Sequence, residues 1–243
     1  DSQDDSVTAI QAVIEPWTSG PNAFLAAPDS AGCAAYQAVW AHLLRLTFHD
    51  EIPEDYWPDG GSRWFTVMGE LLERPDDPFW DDIRTETVED RDLILAQAMI
   101  GAHDELSGLL GDDPESWRWG DLHAASFENL TFGQSGIAPV EWLFNRTAPN
   151  RVGGSDDIVN AVGFHPPDGY GVDWIPSMRM VIDLSDLTAS TSVNSTGQSG
   201  HAFHRNYADM LASWTDGIHH PMRWTRGQVE DGAQGTLTLL PDS

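Results

Sequence analysis

Four histidines lie near the C-terminal end of the chain, and imidazole is a common ligand for zinc. His201 and His204 are three residues apart, and His219 and His220 are adjacent. Zinc sites on helices use histidines at i and i+4 with a glutamate between them, and neither pair has that arrangement. We therefore predict no metal site in this chain, with His201 at a helix start and His204 packed in the structure.

His123 has the chemistry of a general base, because the pKa of an imidazole lies near neutrality. It ends the sequence Trp119-Gly-Asp-Leu-His123. The alternative is a structural histidine that is hydrogen-bonded across a turn. The sequence around it does not separate the two roles, and both interpretations stand at this point.

Arg179 is a lone cation in a pattern of alternating residues, with Asp183 and Asp186 close behind it in sequence. A lone arginine at a half-buried position usually forms an ion pair. We therefore predict an ion pair between Arg179 and one of these two carboxylates. Recognition of a substrate carboxylate is the alternative role.

Neither of the two candidate nucleophiles has the surroundings that activate such groups. Ser199 lies in Gly197-Gln198-Ser199-Gly200, which lacks the G-x-S-x-G spacing because a glycine follows the serine directly. A tight turn that uses the backbone freedom of glycine explains this segment better. Cys33 lies in an apolar helical stretch with no basic residue nearby in sequence to lower its pKa, so we predict a buried, inert thiol.

The composition excludes several classes of partner. The formal net charge is −27, and all twelve basic residues are arginines. Such a surface repels phosphate backbones and anionic membranes, so no nucleic-acid or membrane partner is expected. Adaptation to high salt and a genome that favours Arg over Lys are both explanations of the acidity, and we favour the halophilic one. Hydrophobic residues make up 40% of the chain and include eleven Trp, which is ample for a packed core.

Up to residue 113, apolar residues recur at helical spacing in four segments. The predicted helices cover 6–14, 30–48, 62–73 and 87–110. Pro16 is expected to stop the first helix and Gly111 to end the fourth. Asp29 or Ser30 is predicted to cap the second. Thr87-Val-Glu-Asp90 resembles a capping box, so we predict that Thr87 opens the fourth helix.

From residue 114 onward, turns and short apolar runs replace the helical pattern. Strands are predicted over 178–184 and 236–240, with a glycine turn over 194–200 and a helix over 202–215 that ends at Gly217. The apolar stripe of that helix is expected to pack in the core and consists of Phe203, Tyr207, Met210, Leu211 and Trp214. Because no flexible linker separates 1–113 from 114–243, we treat 1–243 as a single region of α+β class with a mainly helical N-terminal segment.

An ordered series of short motifs in this chain resembles the C-terminal part of the penicillin acylase family. The residues that carry the resemblance are Trp119, Gly120, His123, Ser177, Arg179, Asp183, Gly197, Gln198, Ser199, Gly200, His204, Tyr207, Asp209, Trp214 and Gly217. The order and spacing of the motifs make the match more specific than any one of them. We assign all of these residues a structural role.

The resemblance implies an N-terminal nucleophile hydrolase with a partial αββα sandwich, which cleaves linear amide bonds. In that family the nucleophile is the first residue of the large subunit, a serine whose α-amino group serves as the base. Because the α-amino group already serves as the base, His123 is not needed in that role, and we favour the structural interpretation of this residue. The nucleophile, the oxyanion asparagine and the calcium ligands of the family lie upstream of the matched region. The resemblance therefore places no catalytic residue and no cofactor in this chain.

The resemblance also implies partners and a location. The chain is similar to the C-terminal part of the large (beta) subunit, and alone it is expected to be inactive. Its expected partners are the small subunit and the N-terminal part of the large subunit, together with a small N-acyl substrate. A periplasmic or extracellular location follows from the family, although the chain carries no targeting signal. The alternative function is a non-catalytic acidic scaffold or binding module that retains part of the fold.

Overall fold

A computed structural model of the chain describes the backbone of residues 2–240 and the side chains of 5–146 and 150–240. The chain divides into two compact units, Asp1–Ile175 (unit 1) and Pro176–Ser243 (unit 2). This division does not coincide with the change of composition at residue 113. Both helices and small antiparallel sheets are present, so the α+β class is confirmed.

Four helices build the first part of unit 1. They are α1 (Ser2–Trp17), α2 (Ala31–Phe48), α3 (Ser62–Leu72) and α4 (Arg91–Leu110). The predicted second and third helices are confirmed to within a residue or two. The first helix, predicted over 6–14, is longer than expected and runs from Ser2 through Pro16 to Trp17. Pro16 lies in the last turn of this helix, where it removes a single backbone hydrogen bond.

Helix α2 is the centre of unit 1 and packs against both α1 and α4. Its N-terminal half buries small side chains, among them Cys33, Ala34 and Ala38. Small residues let neighbouring helices approach closely, and a Cβ at Gly32 would collide with the side chain of Trp17 in α1. Further along α2, Trp40, Leu43, Leu44 and Phe48 form a second core with residues of α3 and α4.

The ends of α2 and α4 follow capping rules, but α4 begins later than predicted. The Oγ of Ser30 accepts the N–H of Cys33, as predicted for the start of α2. Helix α4 begins at Arg91, and the Asp90 carboxylate accepts the N–H of Leu93. The prediction that Thr87 opens this helix was wrong, because the carboxylate three residues later provides the cap. The helix ends at Gly111, whose φ is +101°.

The remainder of unit 1 contains two short helices and a two-stranded sheet. The elements are α5 (Trp119–Leu122), β1 (Ala124–Phe127), α6 (Ala138–Phe144) and β2 (Arg146–Arg151). Strands β1 and β2 pair antiparallel, with Ala124 opposite Arg151 and Ala125 opposite Asn150. The Nε1 of Trp119 donates to the carbonyl of Gly154 and holds α5 against the following loop.

Unit 2 contains a three-stranded antiparallel sheet and two short helices. The order is β3 (Met178–Val181), β4 (Thr191–Asn194) and β5 (His220–Pro221), with Met178 opposite Asn194. The helices are α7 (Leu211–Thr215) and α8 (Arg226–Asp231). The predicted strand over 178–184 is thus confirmed for its first four residues.

The predicted helix over 202–215 was wrong for all but its last turn, α7. Two histidines explain the difference, because the Nδ1 of His201 accepts the N–H of Phe203 and the Nδ1 of His204 accepts the N–H of Asn206. Such local side-chain acceptors compete with the helical hydrogen bonds of the backbone. The turn that results leaves Phe203 exposed, while Trp214 is buried.

Two further predictions for unit 2 were wrong. His204, expected to be packed, is exposed. Residues 236–240, expected to form a strand, pair with no strand in the part of the chain that the structure describes. Leu237, Leu239 and Leu240 are each more than 80% exposed, so no face of this segment packs against the described residues.

Candidate functional site

The motif residues of unit 1 lie at the junction of α5 and β1. His123 is fully buried, its ring stacks on that of Trp119 with centroids 4.5 Å apart, and its Nδ1 donates to the carbonyl of Tyr170 at 2.8 Å. This hydrogen bond assigns the Nδ1–H tautomer to the neutral ring. It joins residues 47 positions apart rather than the two sides of one turn. Burial lowers the pKa of His123, so the ring is neutral at physiological pH.

Gly120 in the same motif allows a close approach of two chain segments. Its N–H donates to the carbonyl of Pro28 at 2.6 Å, and a Cβ at this position would meet Pro28 and Arg151. The side chain of Arg151 in turn forms an ion pair with Asp121. These contacts place α5 against the loop before α2 and against β2.

Arg179 in unit 2 has a different partner from the one predicted. No ion pair involves it among the described side chains, and its guanidinium carbon lies 3.9 Å from the ring centroid of Trp214. Its Nη1 also donates to the carbonyl of Trp214 at 2.9 Å. Asp183 instead accepts hydrogen bonds from Ser185 and from the N–H of Asp186, which lowers its pKa. The predicted ion pair was wrong because the carboxylates of Asp183 and Asp186 accept local donors, while the guanidinium packs on Trp214 and donates to its carbonyl.

The segment from Gly197 to Gly200 forms a turn beside the chain that leads to α7. The N–H of Ser199 donates to the carbonyl of Asn206, while its Oγ accepts the N–H of His201. A Cβ at Gly197 would collide with the carbonyl of Asn206 and approach the carboxylate of Asp209. Gln198 and Asp209 are exposed, and Tyr207 is partly buried.

The two ends of the motif region are also described. The carbonyl of Ser177 accepts the N–H of Ser195 beside the β3–β4 pair. Gly217 follows α7 with a φ of +69°, a left-handed conformation that favours glycine. The structure therefore gathers the motif residues into two clusters, one in each unit. That all of them are structural stays a prediction.

Unit 1 also contains an open cleft of about 560 Å³ that was not predicted from the sequence, and its volume is in the range of small-molecule sites. It is lined by the C-terminal half of α2, by Glu105 of α4 and by the segments 57–58 and 166–170. The lining residues are Ala41, His42, Leu44, Arg45, His49, Trp57, Pro58, Glu105, Pro166, Pro167, Asp168, Gly169 and Tyr170. This lining contains no serine, threonine or cysteine, so it offers no hydroxyl or thiol nucleophile of the usual kinds.

A chain of hydrogen bonds forms the polar part of this cleft. The Nη2 of Arg45 donates to the Nδ1 of His42 at 2.8 Å, which requires the proton of the neutral ring to be on Nε2. That Nε2 then donates to Glu105 at 2.7 Å, and the Tyr170 hydroxyl donates to the same carboxylate oxygen at 2.9 Å. The bond from His42, more than that from Tyr170, lowers the pKa of Glu105, so this carboxylate is ionised.

The walls of the cleft are mostly apolar and aromatic. The rings of His49 and Trp57 are parallel, with centroids 3.8 Å apart. Burial and the nearby charge of Arg45 lower the pKa of His49, which keeps this ring neutral at pH 7. The segment with Pro166 and Pro167 also lines the cleft, and the hydrogen bond between His165 and Asp168 spans these prolines. In the sequence, the one signal for this site is the spacing of His42 and Arg45, which are three residues apart and share a face of α2.

Comparison with known proteins decides the family. The family model described as Penicillin amidase matches residues 2–231, which is nearly the whole chain. This chain belongs to the penicillin amidase family. The motifs of both clusters lie within the matched residues, so the resemblance to the penicillin acylase family is confirmed. The description of the family and the names of its relatives indicate a family of amidohydrolases.

Several curated relatives of this penicillin amidase family member are acyl-homoserine lactone acylases named QuiP. The protein of Pseudomonas syringae pv. tomato is 30% identical over 220 residues, which cover 87% of this chain and 26% of the relative. That of Pseudomonas fluorescens Pf0-1 is 31% identical over 225 residues, covering 88% and 26%. That of Pseudomonas aeruginosa PAO1 is 29% identical over 213 residues, covering 78% and 24%. The chain thus spans about a quarter of the length of these relatives.

This family member shows neither a metal-binding cluster nor a membrane-spanning helix among its described residues. Within the side chains that the structure describes, no group of three His, Cys, Asp or Glu residues is placed to hold a metal ion. Among residues 2–240, no helix has both the length and the apolar character needed to cross a membrane.

Proposed function

We propose that this chain is the C-terminal portion of the large subunit of an amide hydrolase that acts on small N-acyl substrates. Acyl-homoserine lactones and the amide side chains of β-lactams are the candidate substrates. The observation that carries the proposal is the alignment of most of this chain with only a quarter of each QuiP protein. In this proposal the small subunit and the N-terminal part of the large subunit supply the rest of the enzyme.

The catalytic groups lie in that other part. A serine hydroxyl at the start of the large subunit attacks the amide carbonyl, and the α-amino group of the same serine accepts the proton. Backbone N–H groups and an asparagine stabilise the oxyanion, after which the amine leaves. No residue of this chain is assigned a catalytic role or a calcium ligand, and this chain alone is expected to be inactive.

The burial pattern of unit 2 supports the presence of more polypeptide around it. Among its described side chains, the only buried hydrophobic residues are Val193 and Trp214. Met178, Met180 and Val181 of β3 are instead about half exposed. A unit of this size with two buried apolar residues cannot offset its own conformational entropy. We propose that the upstream part of the enzyme covers this sheet and completes the αββα sandwich, in a periplasmic or extracellular enzyme.

Expression of the longer coding region tests the proposal. The 243-residue chain and the longer polypeptide are incubated with an N-acyl-homoserine lactone, and the released amine is quantified. We expect amine release by the longer polypeptide and none by this chain. Replacement of the serine at the start of the large subunit by alanine should abolish the release. Activity of this chain by itself would contradict the placement of the catalytic groups in the other part of the enzyme. A longer polypeptide that lacks such a serine and releases no amine would support the scaffold alternative instead.

A further inference from the structure

The cleft of unit 1 presents the cation Arg45 and the anion Glu105 at a defined separation, while its other carboxylate, Asp168, is hydrogen-bonded to His165. Across the part of the chain that the structure describes, Arg45 forms no ion pair, and its one described hydrogen bond is to His42. The side chain of Arg45 is exposed. The remaining N–H groups of Arg45 are therefore free to bind an anionic group in the cleft.

Glu105 provides the complementary charge. One of its oxygens, Oε2, accepts hydrogen bonds from both His42 and Tyr170. The Glu105 side chain is still 37% exposed. A carboxylate has about four lone-pair positions, so acceptor capacity is left for a further donor. Because Glu105 is ionised, a cationic donor such as an ammonium group is favoured over a neutral one.

The imidazole of His42 sets the distance between these two groups. The guanidinium and the carboxylate are separated by one ring and two hydrogen bonds of ordinary length. An α-amino acid carries its carboxylate and its ammonium on a single carbon atom. With one hydrogen bond at each end, such a molecule spans a gap of similar length alongside the imidazole.

The surroundings favour a molecule that also has an apolar part and no net charge. Trp57, Pro58, Pro166 and Pro167 provide apolar surface in the same cleft. The net charge of −27 disfavours the approach of a simple anion to Arg45, whereas a zwitterion is not repelled. A simple cation is attracted to many carboxylates on this surface and gains nothing specific from Arg45.

We propose that this cleft binds a zwitterionic α-amino acid with an apolar side chain, a role separate from amide hydrolysis. Arg45 binds the carboxylate, Glu105 binds the ammonium group, and the wall around Trp57 contacts the side chain. His42 positions both charged groups and does not itself contact the charges of the ligand. Without such a ligand, the hydrogen bonds among Arg45, His42 and Glu105 would serve only to join α2 to α4.

Calorimetric titration at pH 7.5 with three related probes tests the proposal on the unmodified protein. The probes are L-leucine, N-acetyl-L-leucine, which lacks the ammonium group, and L-leucinamide, which lacks the carboxylate. We expect L-leucine to bind at least about tenfold more tightly than either analogue. No binding of L-leucine up to about 10 mM, or equal binding of one analogue, would overturn the proposal. The longer polypeptide is used when the 243-residue chain does not fold.

Two substitutions place the binding in this cleft. Arg45→Gln and Glu105→Gln are each expected to weaken L-leucine binding about tenfold or more. Arg226→Gln is the matched control, because it removes the same charge from an exposed arginine of unit 2 and should leave binding unchanged. Circular dichroism checks the fold of each variant, and Arg45→Met, which also removes the charge, replaces Arg45→Gln when the latter does not fold. Binding that survives in the folded Arg45 and Glu105 variants would overturn the assignment, and the cleft chain would then be structural only.

Discussion

The guanidinium of Arg179 lies over the ring of Trp214, and its Nη1 donates to the carbonyl of the same residue. The two contacts join β3 to the helix α7, although the residues are 35 positions apart. Trp214 is one of two buried hydrophobic residues among the described side chains of unit 2, so this pair forms much of its interior. Burial lowers the pKa of Arg179, yet an arginine remains charged at every physiological pH.

Replacement of Arg179 by lysine is expected to destabilise unit 2. An ammonium group keeps the charge but has no planar face to stack on the ring, and it cannot reproduce the guanidinium geometry. We expect a loss of about 1 kcal/mol in the free energy of unfolding, measured by urea titration. Arg205→Lys is the control, because Arg205 is exposed and its described partner is the side chain of Gln234. Equal stabilities of the two variants would contradict the stacking interpretation.

Substitution of glycine by alanine should lower stability at one end of the turn in unit 2 and change it little at the other. A Cβ at Gly197 collides with the carbonyl of Asn206, so the backbone must shift. We expect Gly197→Ala to cost about 2 kcal/mol in the free energy of unfolding. At Gly200 no atom lies within 4 Å of the added Cβ, and Gly200→Ala is expected to change stability little. Similar urea midpoints for the two variants would show that the turn is not packed as described.

Asp156 is expected to weaken the fold as the pH rises. Burial raises its pKa from 3.8 to about 6, with the charge of Asp173 adding to the effect. A carboxyl group with a raised pKa stabilises the folded state below its unfolded pKa, and this contribution is lost as the pH rises through 6. Because Asp156 is only partly buried, solvent screening limits the effect at pH 8 to roughly 1 kcal/mol.

Asp156→Asn should therefore raise the thermal midpoint at pH 8 and leave it nearly unchanged at pH 3.5. Thermal melts at both pH values measure this difference. The neighbouring Asp157→Asn is a matched control, since it removes the same charge at an exposed position. Asparagine also tolerates the positive φ of residue 157, which is +54°. A gain at pH 8 that is the same for both variants would assign the effect to net charge rather than to the burial of Asp156.

Salt is expected to stabilise this protein. Carboxylates crowded within a Debye length repel one another, and that length falls from about 10 Å at 0.1 M to about 3 Å at 1 M salt. With a net charge of −27, the thermal midpoint should rise between dilute buffer and molar NaCl or KCl. Chloride is the appropriate anion, because sulfate strengthens apolar burial in almost any protein. A flat or falling midpoint would assign the acidity to genome composition rather than to a saline habitat.

Much of unit 1 could be predicted from local sequence. The apolar spacing of Trp40, Leu43 and Leu44 gave α2, and Ser30 and Gly111 marked helix ends as observed. Family membership was also within reach, because the order of the motifs is a property of the sequence. In each case the deciding interactions lie within one or two helical turns, or in the linear order of residues.

Tertiary structure decided the partners of the polar side chains. The sequence around Arg179 contains two carboxylates, but its partner is the distant Trp214. The cleft brings Glu105 and Tyr170 together with residues of α2, although 63 positions separate His42 from Glu105. Helical spacing specifies which residues share a face, but not which face of another element will meet them. That choice depends on the packing of whole helices and loops, where each polar group takes the nearest acceptor or ring that the assembled core presents.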